Sequence, residues 1–219
     1  MEDHFSQKSF VSNLEKYSTN IIPTWCPGCG NFQIKAFLEK ALRELKIPKK
    51  NIVITYDIGC VGNMADFLDT FGVHTLHGRA IPVAMGVKIA NPKLTVIVIG
   101  GDGGIYGEGL NHLVTATRTN TDITVIVSNN CLYSLTTGQT SPTTPKGAKT
   151  KSTPEGSTLI PIDPITFTKN VNPKSWVKKS DTKNPKDLQD KIKEAVLHKG
   201  FSLLDIDQEC VAFGKLLKK

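Results

Sequence analysis

Two stretches of the sequence decide the fold: residues 94–104 read LTVIVIGGDGG, and residues 123–130 read ITVIVSNN. Each begins with a continuous apolar, β-branched run, which is typical of a parallel strand buried on both faces of a sheet. Each run ends in small and polar residues. A helix is expected between them, from about Gly107 to Arg118, so the two stretches predict neighbouring strands joined by a right-handed crossover.

The same alternation of strands and helices extends outward in both directions. Further helices are expected over residues 31–46, 81–90 and 187–199, and further strands over residues 52–56 and 201–206. This order predicts an α/β fold with a central parallel sheet and helices on both faces. Three polar segments follow strands: Asp57–Cys60, Gly101–Gly104 and Asn129-Asn130. Sheets of this kind bind ligands beyond the carboxyl ends of their strands, so we expect these segments to share one site.

The domain organisation follows from length and local composition. The 219 residues suffice for a single domain spanning residues 1–219. Residues 1–25 are predicted to form an N-terminal arm. Residues 136–164, rich in Thr, Pro, Gly, Ser and Lys, are predicted to form a long loop, and residues 165–219 form a Lys-rich C-terminal part.

Charge and hydropathy exclude several classes of protein. The net charge of +7 comes almost wholly from residues 146–219, which carry 15 Lys and 9 acidic residues with few aromatic residues between them. A solvated surface is expected there, with docking of an acidic protein as the alternative, and no nucleic acid. The apolar runs are too short for a membrane span, and the polar N-terminus lacks the features of a signal peptide. We therefore expect a cytoplasmic protein.

The first candidate site combines Asp102 with Asn130. A carboxylate oxygen, an amide oxygen and a loop carbonyl suit Mg²⁺, and the adjoining glycines let backbone N–H groups approach a phosphate. Gly101-Asp102-Gly103 alone could be an ordinary turn. Together with Asn129-Asn130 at the end of the next strand, it resembles the thiamine diphosphate fingerprint, which begins with Gly-Asp-Gly and ends with Asn-Asn.

The second candidate site is formed by cysteines. The chain has five, Cys26, Cys29, Cys60, Cys131 and Cys210, and their odd number argues against a disulfide framework. Cys26-x-x-Cys29 alone fits zinc, a redox dithiol or an iron–sulfur cluster. One close pair with two remote cysteines, Cys60 and Cys210, fits a [4Fe–4S] site. Cys131 is expected to be a small buried residue.

These segments belong to a larger set of motifs through which the sequence resembles a known family. Its motifs include WCPGCG (25–30), DIGC (57–60), HTLHGR (74–79), AMGVK (84–88) and GQTSPTT (138–144), and the matching region extends from about residue 24 to residue 210. In these motifs the chain resembles the β subunit of 2-oxoacid:ferredoxin oxidoreductases, which include the pyruvate and 2-oxoglutarate enzymes. The resemblance implies the thiamine diphosphate-binding fold.

The resemblance also implies residue roles. Cys26, Cys29, Cys60 and Cys210 match the ligands of a [4Fe–4S] cluster. Asp102, Asn130 and the backbone carbonyl of Leu132 match the ligands of Mg²⁺. The positions that match thiamine diphosphate contacts are Ile58, Gly59, Cys60, Val61, His77, Gly78, Arg79, Asp102, Gly103, Gly104, Asn130, Ser134 and Leu135. His77 and Arg79 are the candidate catalytic residues; a structural role for Arg79 within the fold is the alternative.

The implied reaction is the coenzyme A-dependent oxidative decarboxylation of a 2-oxoacid, with electrons passed through the cluster to ferredoxin. The implied partners are an α subunit in a heterodimer, alone or with γ and δ subunits, which supplies the glutamate that activates the cofactor. Two alternatives stay open: a subunit of a non-oxidative thiamine diphosphate enzyme, and a non-catalytic assembly subunit. The sequence departs from the family pattern at Gly104, where a second Asp is usual, and over residues 166–180, which are polar and Lys-rich.

Overall fold

A six-stranded parallel sheet organises residues 17–217, the part of the chain that this computed structural model describes. Its strands are β1 (Ile52–Tyr56), β2 (Phe71–His74), β3 (Thr95–Gly101), β4 (Thr124–Asn129), β7 (Trp176–Asp181) and β8 (Ser202–Asp207). Their spatial order is β2-β1-β3-β4-β8-β7. A separate antiparallel pair joins β5 (Leu132–Tyr133) to β6 (Gln139–Thr140). Most of the predicted N-terminal arm, residues 1–16, lies outside the described residues.

Hydrophobic layers cover both faces of the sheet, which confirms the predicted fold class. Successive residues of β3 alternate between them: Val96 and Val98 pack in one layer, and Ile97 and Ile99 pack in the other. This explains the continuous apolar run, since every position of a central strand is buried on one side or the other. The helices are α1 (Asn31–Leu45), α2 (Ala80–Ala90), α3 (Leu110–Arg118), α4 (Pro164–Val171) and α5 (Pro185–Leu197).

The expected helix over residues 107–118 is wrong in its first part. A π-helical turn occupies Gly103–Glu108, and α3 begins only at Leu110. The N–H of Gly109 donates to the carbonyl of Gly104 at 2.8 Å, five residues earlier. Glycine is a poor helix former, so the Gly-rich segment widens at little cost and allows the loop after β3 to reach the site.

Strands β2 and β7 and helix α4 were not expected from the sequence. β2 is an edge strand in which all four residues are exposed, so it has no alternating apolar pattern. Residues 166–180 are polar and Lys-rich, yet they form most of α4 and most of β7. The side chain of Asp163 caps α4 by accepting from the N–H groups of Ile165 and Thr166.

The order of the strands reverses between β1 and β3. The chain runs from β1 outward to β2 and then crosses back to β3 on the other side of β1. The loops after β1 and β3 therefore diverge and leave a crevice at the carboxyl edge, which is where open α/β sheets bind ligands. Among the described helices, none is both long and apolar enough to cross a membrane.

The buried carboxylate of Asp205, on β8, links the π-helical turn to strand β4. Asp205 on β8 accepts a hydrogen bond from Tyr106 Oη at 2.7 Å and from Asn129 Nδ2 at 3.2 Å. Burial raises the pKa of Asp205 from 3.8 to about 6. The folded protein therefore binds a proton at the Asp205 carboxylate more tightly than the unfolded chain does.

We predict that this carboxyl makes the free energy of unfolding fall as pH rises from about 4 to about 6. The folded state holds more protons than the unfolded state over that range, so the contribution is complete at low pH and lost above the folded pKa. Asp205→Asn cannot ionise at this position. In that variant the free energy of unfolding should therefore fall by on the order of 3 kcal/mol less over the same pH range. Urea titrations across that pH range would measure it. Asp66→Asn, at an exposed position, should retain the wild-type slope, and an Asp205→Asn slope equal to wild type would contradict the assignment.

Candidate active site

A cavity of about 80 Å³ opens at the carboxyl ends of β1, β3 and β4. Of the thirteen residues predicted to contact the cofactor, eleven line this cavity: Ile58, Gly59, Cys60, Val61, His77, Asp102, Gly103, Gly104, Asn130, Ser134 and Leu135. Leu132, predicted as a magnesium ligand, also lines it. The structure thus brings together residues that are spread over almost 80 positions of the sequence.

The remaining two predicted residues have other contacts. The N–H of Gly78 donates to Asp57 Oδ1 at 3.0 Å. The side chain of Arg79 is directed to α3, where its Nη1 lies 2.5 Å from His112 Nε2. Neither residue is part of the cavity wall. This geometry matches the alternative in which Arg79 forms contacts within the fold.

Asp102 follows β3 and is buried at the base of the cavity. Its Oδ2 lies 2.8 Å from Thr143 Oγ1, which has one proton to donate and also lies 3.0 Å from Asn129 Oδ1. Burial raises the pKa of Asp102 to about 6, and the hydroxyls of Ser141 and Thr143 oppose that increase. A carboxylate removed from water in this way is stabilised by a nearby cation.

Asn130 faces Asp102 from the end of β4. Its Oδ1 accepts from the N–H of Leu132 and from Ser134 Oγ, both at 3.0 Å. These two bonds hold the amide against the cavity wall. Asp102 and Asn130 therefore present a charged and a neutral oxygen to the same cavity, a combination that Mg²⁺ accepts.

The glycines after Asp102 are required by close packing. A Cβ atom on Gly103 would lie 2.2 Å from the ring of Tyr133, and one on Gly104 would lie 2.3 Å from Asp57 Oδ1. Any larger residue would displace the cavity wall. In this conformation an aspartate at Gly104 would meet the Asp57 carboxylate.

Asp57 is a structural residue of the site whose role the sequence analysis missed. Its side chain is 0% exposed and its Oδ1 accepts from the N–H groups of Ile58, at 2.8 Å, and Gly78, at 3.0 Å. The loop after β1 and the loop after β2 are thereby held together. Burial raises the pKa of Asp57, and the Gly78 N–H and His77 oppose this.

His77, a candidate catalytic residue, lies in the cavity wall between two carboxylates. Its Nδ1 is 3.1 Å from Glu108 Oε2 and 3.8 Å from Asp57 Oδ1. Tyr133 Oη donates to the same Glu108 carboxylate at 3.1 Å. Glu108 and Tyr133 are further residues that the sequence analysis did not assign to the site.

The four cysteines predicted as cluster ligands line a second cavity of about 240 Å³. Cys26 and Cys29 lie in a tight turn closed by a 3.0 Å bond from the Cys29 N–H to the Cys26 carbonyl. Trp25 Nε1 donates to the Cys60 carbonyl at 2.5 Å and fixes the loop after β1 against this turn. Cys210 reaches the same cavity from the segment after β8.

These thiols are close enough to influence one another. Burial is the main cause that raises the pKa of Cys60, to about 11, and the charges of Cys29, Cys210 and Cys26 add to it. Within residues 17–217, however, no three His, Cys, Asp or Glu side chains are arranged to hold a single metal ion. Cys131 stands apart from this cavity, with its Sγ 3.5 Å from Asn129 Oδ1.

We predict that Asp57→Ala lowers the free energy of unfolding by about 2–5 kcal/mol, because it leaves the backbone N–H groups of Ile58, Gly78 and Ala80 without their acceptor. Asp57→Asn keeps an oxygen at that position and should cost less than half as much. Urea unfolding of the full chain would measure both. Asp69→Ala, which removes only the exposed pair with Lys49, should change stability by less than about 1 kcal/mol. Equal effects at positions 57 and 69 would contradict the role of Asp57.

Comparison with known proteins identifies a domain family and related enzymes. The family model of the thiamine pyrophosphate enzyme, C-terminal TPP binding domain, matches residues 57–206. The chain is 44% identical over 197 residues to the 2-oxoacid:ferredoxin oxidoreductase subunit beta of Saccharolobus solfataricus, covering 89% of this chain and 64% of that subunit. It is 40% identical over 193 residues to the 2-oxoglutarate synthase subunit KorB of Archaeoglobus fulgidus, covering 88% of this chain and 72% of that subunit.

A solved structure has the same fold. It is a 2-oxoglutarate:ferredoxin oxidoreductase from Magnetococcus marinus with 2-oxoglutarate, coenzyme A and succinyl-CoA bound. The TM-score is 0.88 at 36% identity, over 90% of this chain and 67% of the matched chain. The chain thus spans less than two thirds of the Saccharolobus subunit, and its sequence and fold are similar to those of these relatives. It therefore belongs to the thiamine pyrophosphate-binding enzymes and, within them, to the family of 2-oxoacid:ferredoxin oxidoreductase β subunits.

Proposed function

We propose that this chain binds Mg²⁺-thiamine diphosphate and one [4Fe–4S] cluster in a 2-oxoacid:ferredoxin oxidoreductase. With its partner subunit it would catalyse coenzyme A-dependent oxidative decarboxylation of a 2-oxoacid, with electrons passed to ferredoxin. The observation that carries this proposal is the contact between the two cavities. Cys60, Asn130, Ser134 and Leu135 line both of them, so a cofactor in one and a cluster in the other would be adjacent.

The residues of the first cavity fit a magnesium diphosphate. Asp102 is a buried carboxylate without a cationic partner among its hydrogen bonds. Gly103 and Gly104 leave no side chain between the backbone and the cavity. Both Asn130 Oδ1 lone pairs are engaged by Leu132 and Ser134, so we expect a bound ion to replace the Ser134 hydroxyl at that oxygen.

The residues of the second cavity fit a cluster better than a single zinc ion. Zinc holds its thiolates at about 2.3 Å, so the sulfurs of a zinc site lie within about 4 Å of one another. The described residues contain no such group, although four cysteines line one cavity. A cluster binds each thiolate through a different iron and therefore suits sulfurs that are farther apart.

The first cavity forms only part of a cofactor site. Its volume of about 80 Å³ is well below the roughly 300–1,000 Å³ of a complete ligand pocket. This supports a site completed by an α subunit, whose glutamate would act on the cofactor. The exposed apolar side chains of Leu76 and Leu135 are suited to such contact, because Leu76 precedes His77 and Leu135 lines the cavity.

Thiamine diphosphate, when bound, supplies the carbanion chemistry that allows a 2-oxoacid to lose CO₂. The chain's own residues have simpler tasks. Asp102 and Asn130 would hold the metal, and the loop after β3 would receive the diphosphate. His77 would lie beside the cofactor, with its Nδ1 3.1 Å from Glu108 Oε2. Trp25 and the loop after β1 would keep Cys60 between the two sites.

We predict that Asp102→Asn weakens binding of Mg²⁺-thiamine diphosphate by roughly 100-fold or more, because it removes the charged ligand of the metal. Isothermal titration of the complex purified anaerobically with its partner subunit would measure the dissociation constant. Asp122→Asn makes the same change at the opposite edge of the sheet, where Asp122 pairs with Lys88 at 2.8 Å, and should bind as the wild type does. Unchanged affinity in Asp102→Asn would contradict the magnesium assignment.

We also predict that the anaerobically purified protein contains about four iron and four acid-labile sulfide atoms per chain. Cys60→Ala and Cys210→Ala should lose both, because each removes a ligand. Cys131→Ala is the matched control, as this thiol lies outside the cysteine cavity, and it should retain full iron and sulfide. Zinc, or no metal, in the wild type would contradict the electron-transfer role. A non-oxidative thiamine diphosphate enzyme or an assembly subunit would then be the better explanation.

A further inference from the structure

One buried side chain in the first cavity has a hydrogen-bonding atom without a partner. Asn31, the first residue of α1, is 1% exposed and lines the cavity beside Asp102 and Asn130. Its Oδ1 accepts from Ser128 Oγ at 2.8 Å. Its Nδ2 is buried and forms no hydrogen bond. An unsatisfied buried donor is destabilising, so such atoms are rare unless a ligand or water completes them.

The position of Asn31 indicates which part of a cofactor would complete it. Ser128, its partner, is on β4, directly beside Gly101 of β3 in the sheet register. Gly101 immediately precedes Asp102. Asn31 therefore lies at the metal and diphosphate end of the proposed site.

The end of α1 adds electrostatic attraction for an anion. This helix has 15 residues, and Gly30 at its N-cap offers no side-chain acceptor. Its N-terminus carries a partial positive charge that favours negative ligands. The backbone N–H groups of Phe32, Gln33 and Ile34 are already used within the turn, and that of Asn31 donates to the thiol of Cys29. The side-chain amide is the donor that remains in this first turn.

We propose that Asn31 is a further cofactor-binding residue, whose Nδ2 donates a hydrogen bond to a diphosphate oxygen. The inference rests on the proposed function, since it names one more contact for the same ligand. It also links the two sites physically. The backbone of Asn31 contacts a predicted cluster ligand, and its side chain would contact the cofactor.

The test compares ligands with and without phosphate. Asn31→Asp keeps the shape and the oxygen that Ser128 contacts, but replaces the free donor with an acceptor. It should weaken binding of Mg²⁺-thiamine diphosphate and of inorganic diphosphate by about 10- to 100-fold. Its affinity for thiamine, which has no phosphate, should remain within about twofold. Asn31→Ala should show a smaller loss in the same direction. Asn111→Asp, an exposed position on α3, makes the same chemical change and should bind as wild type.

The outcomes separate this inference from the proposed function. If the wild type binds inorganic diphosphate through Asn31 but not thiamine diphosphate, the proposed function fails and the anion contact stands. Two results would overturn the inference while leaving the proposed function intact. One is an equal loss of affinity for thiamine and for thiamine diphosphate, and the other is no loss of affinity in either Asn31 variant. All of these titrations use the complex with the partner subunit, and a wild-type complex that binds neither phosphorylated ligand overturns both proposals. Thermal unfolding of each variant confirms that the folded protein is compared; if Asn31→Asp does not fold, Asn31→Ala decides the outcome.

Discussion

The Asp57 carboxylate makes the hydrogen bonds on which the rest of the site depends. One oxygen accepts from the loop after β1 and from the loop after β2, and these loops lie on one side of the point where the strand order reverses. The same carboxylate limits position 104 to glycine. Because a buried carboxylate is costly without donors, it enforces a single arrangement of both loops. Cys60 and His77, which those loops carry, are positioned as a consequence.

Three buried carboxylates lie at the carboxyl edge of the sheet, and each accepts hydrogen bonds from a different set of donors. Asp57 is satisfied by backbone N–H groups, and Asp205 by Tyr106 and Asn129. Asp102 accepts from the hydroxyls of Ser141 and Thr143 and from the backbone N–H groups of Asp102 and Asn130. It is also the member of this set that lines the cofactor cavity, where a metal ion would stabilise its charge. The fold therefore distinguishes the two structural carboxylates from the proposed ligand.

The sequence was most informative where local pattern and burial coincide. The central strands β3 and β4 are uniformly apolar because both of their faces are covered, and their polar ends fall at the site, so Asp102 and Asn130 could be predicted. β2 could not be predicted, since an exposed edge strand has no buried face to impose alternation. Asn31 and Thr143 were missed for another reason. Their roles come from contacts with Ser128 and Asp102, 97 and 41 residues away in the chain, and no local pattern encodes such contacts.

The shared wall between the two cavities constrains how the site can work. Cys60 is on the cofactor side of the loop after β1 and also belongs to the cysteine cavity, and Trp25 holds that loop through the Cys60 carbonyl. The turn that carries Cys26 and Cys29 leads directly into Asn31 and α1. The cysteine cavity and the cofactor cavity are therefore connected along the chain at two places. Loss of a cluster would disturb the position of the cofactor as well as the path of its electrons, so the two proposed functions of the chain are expected to fail together.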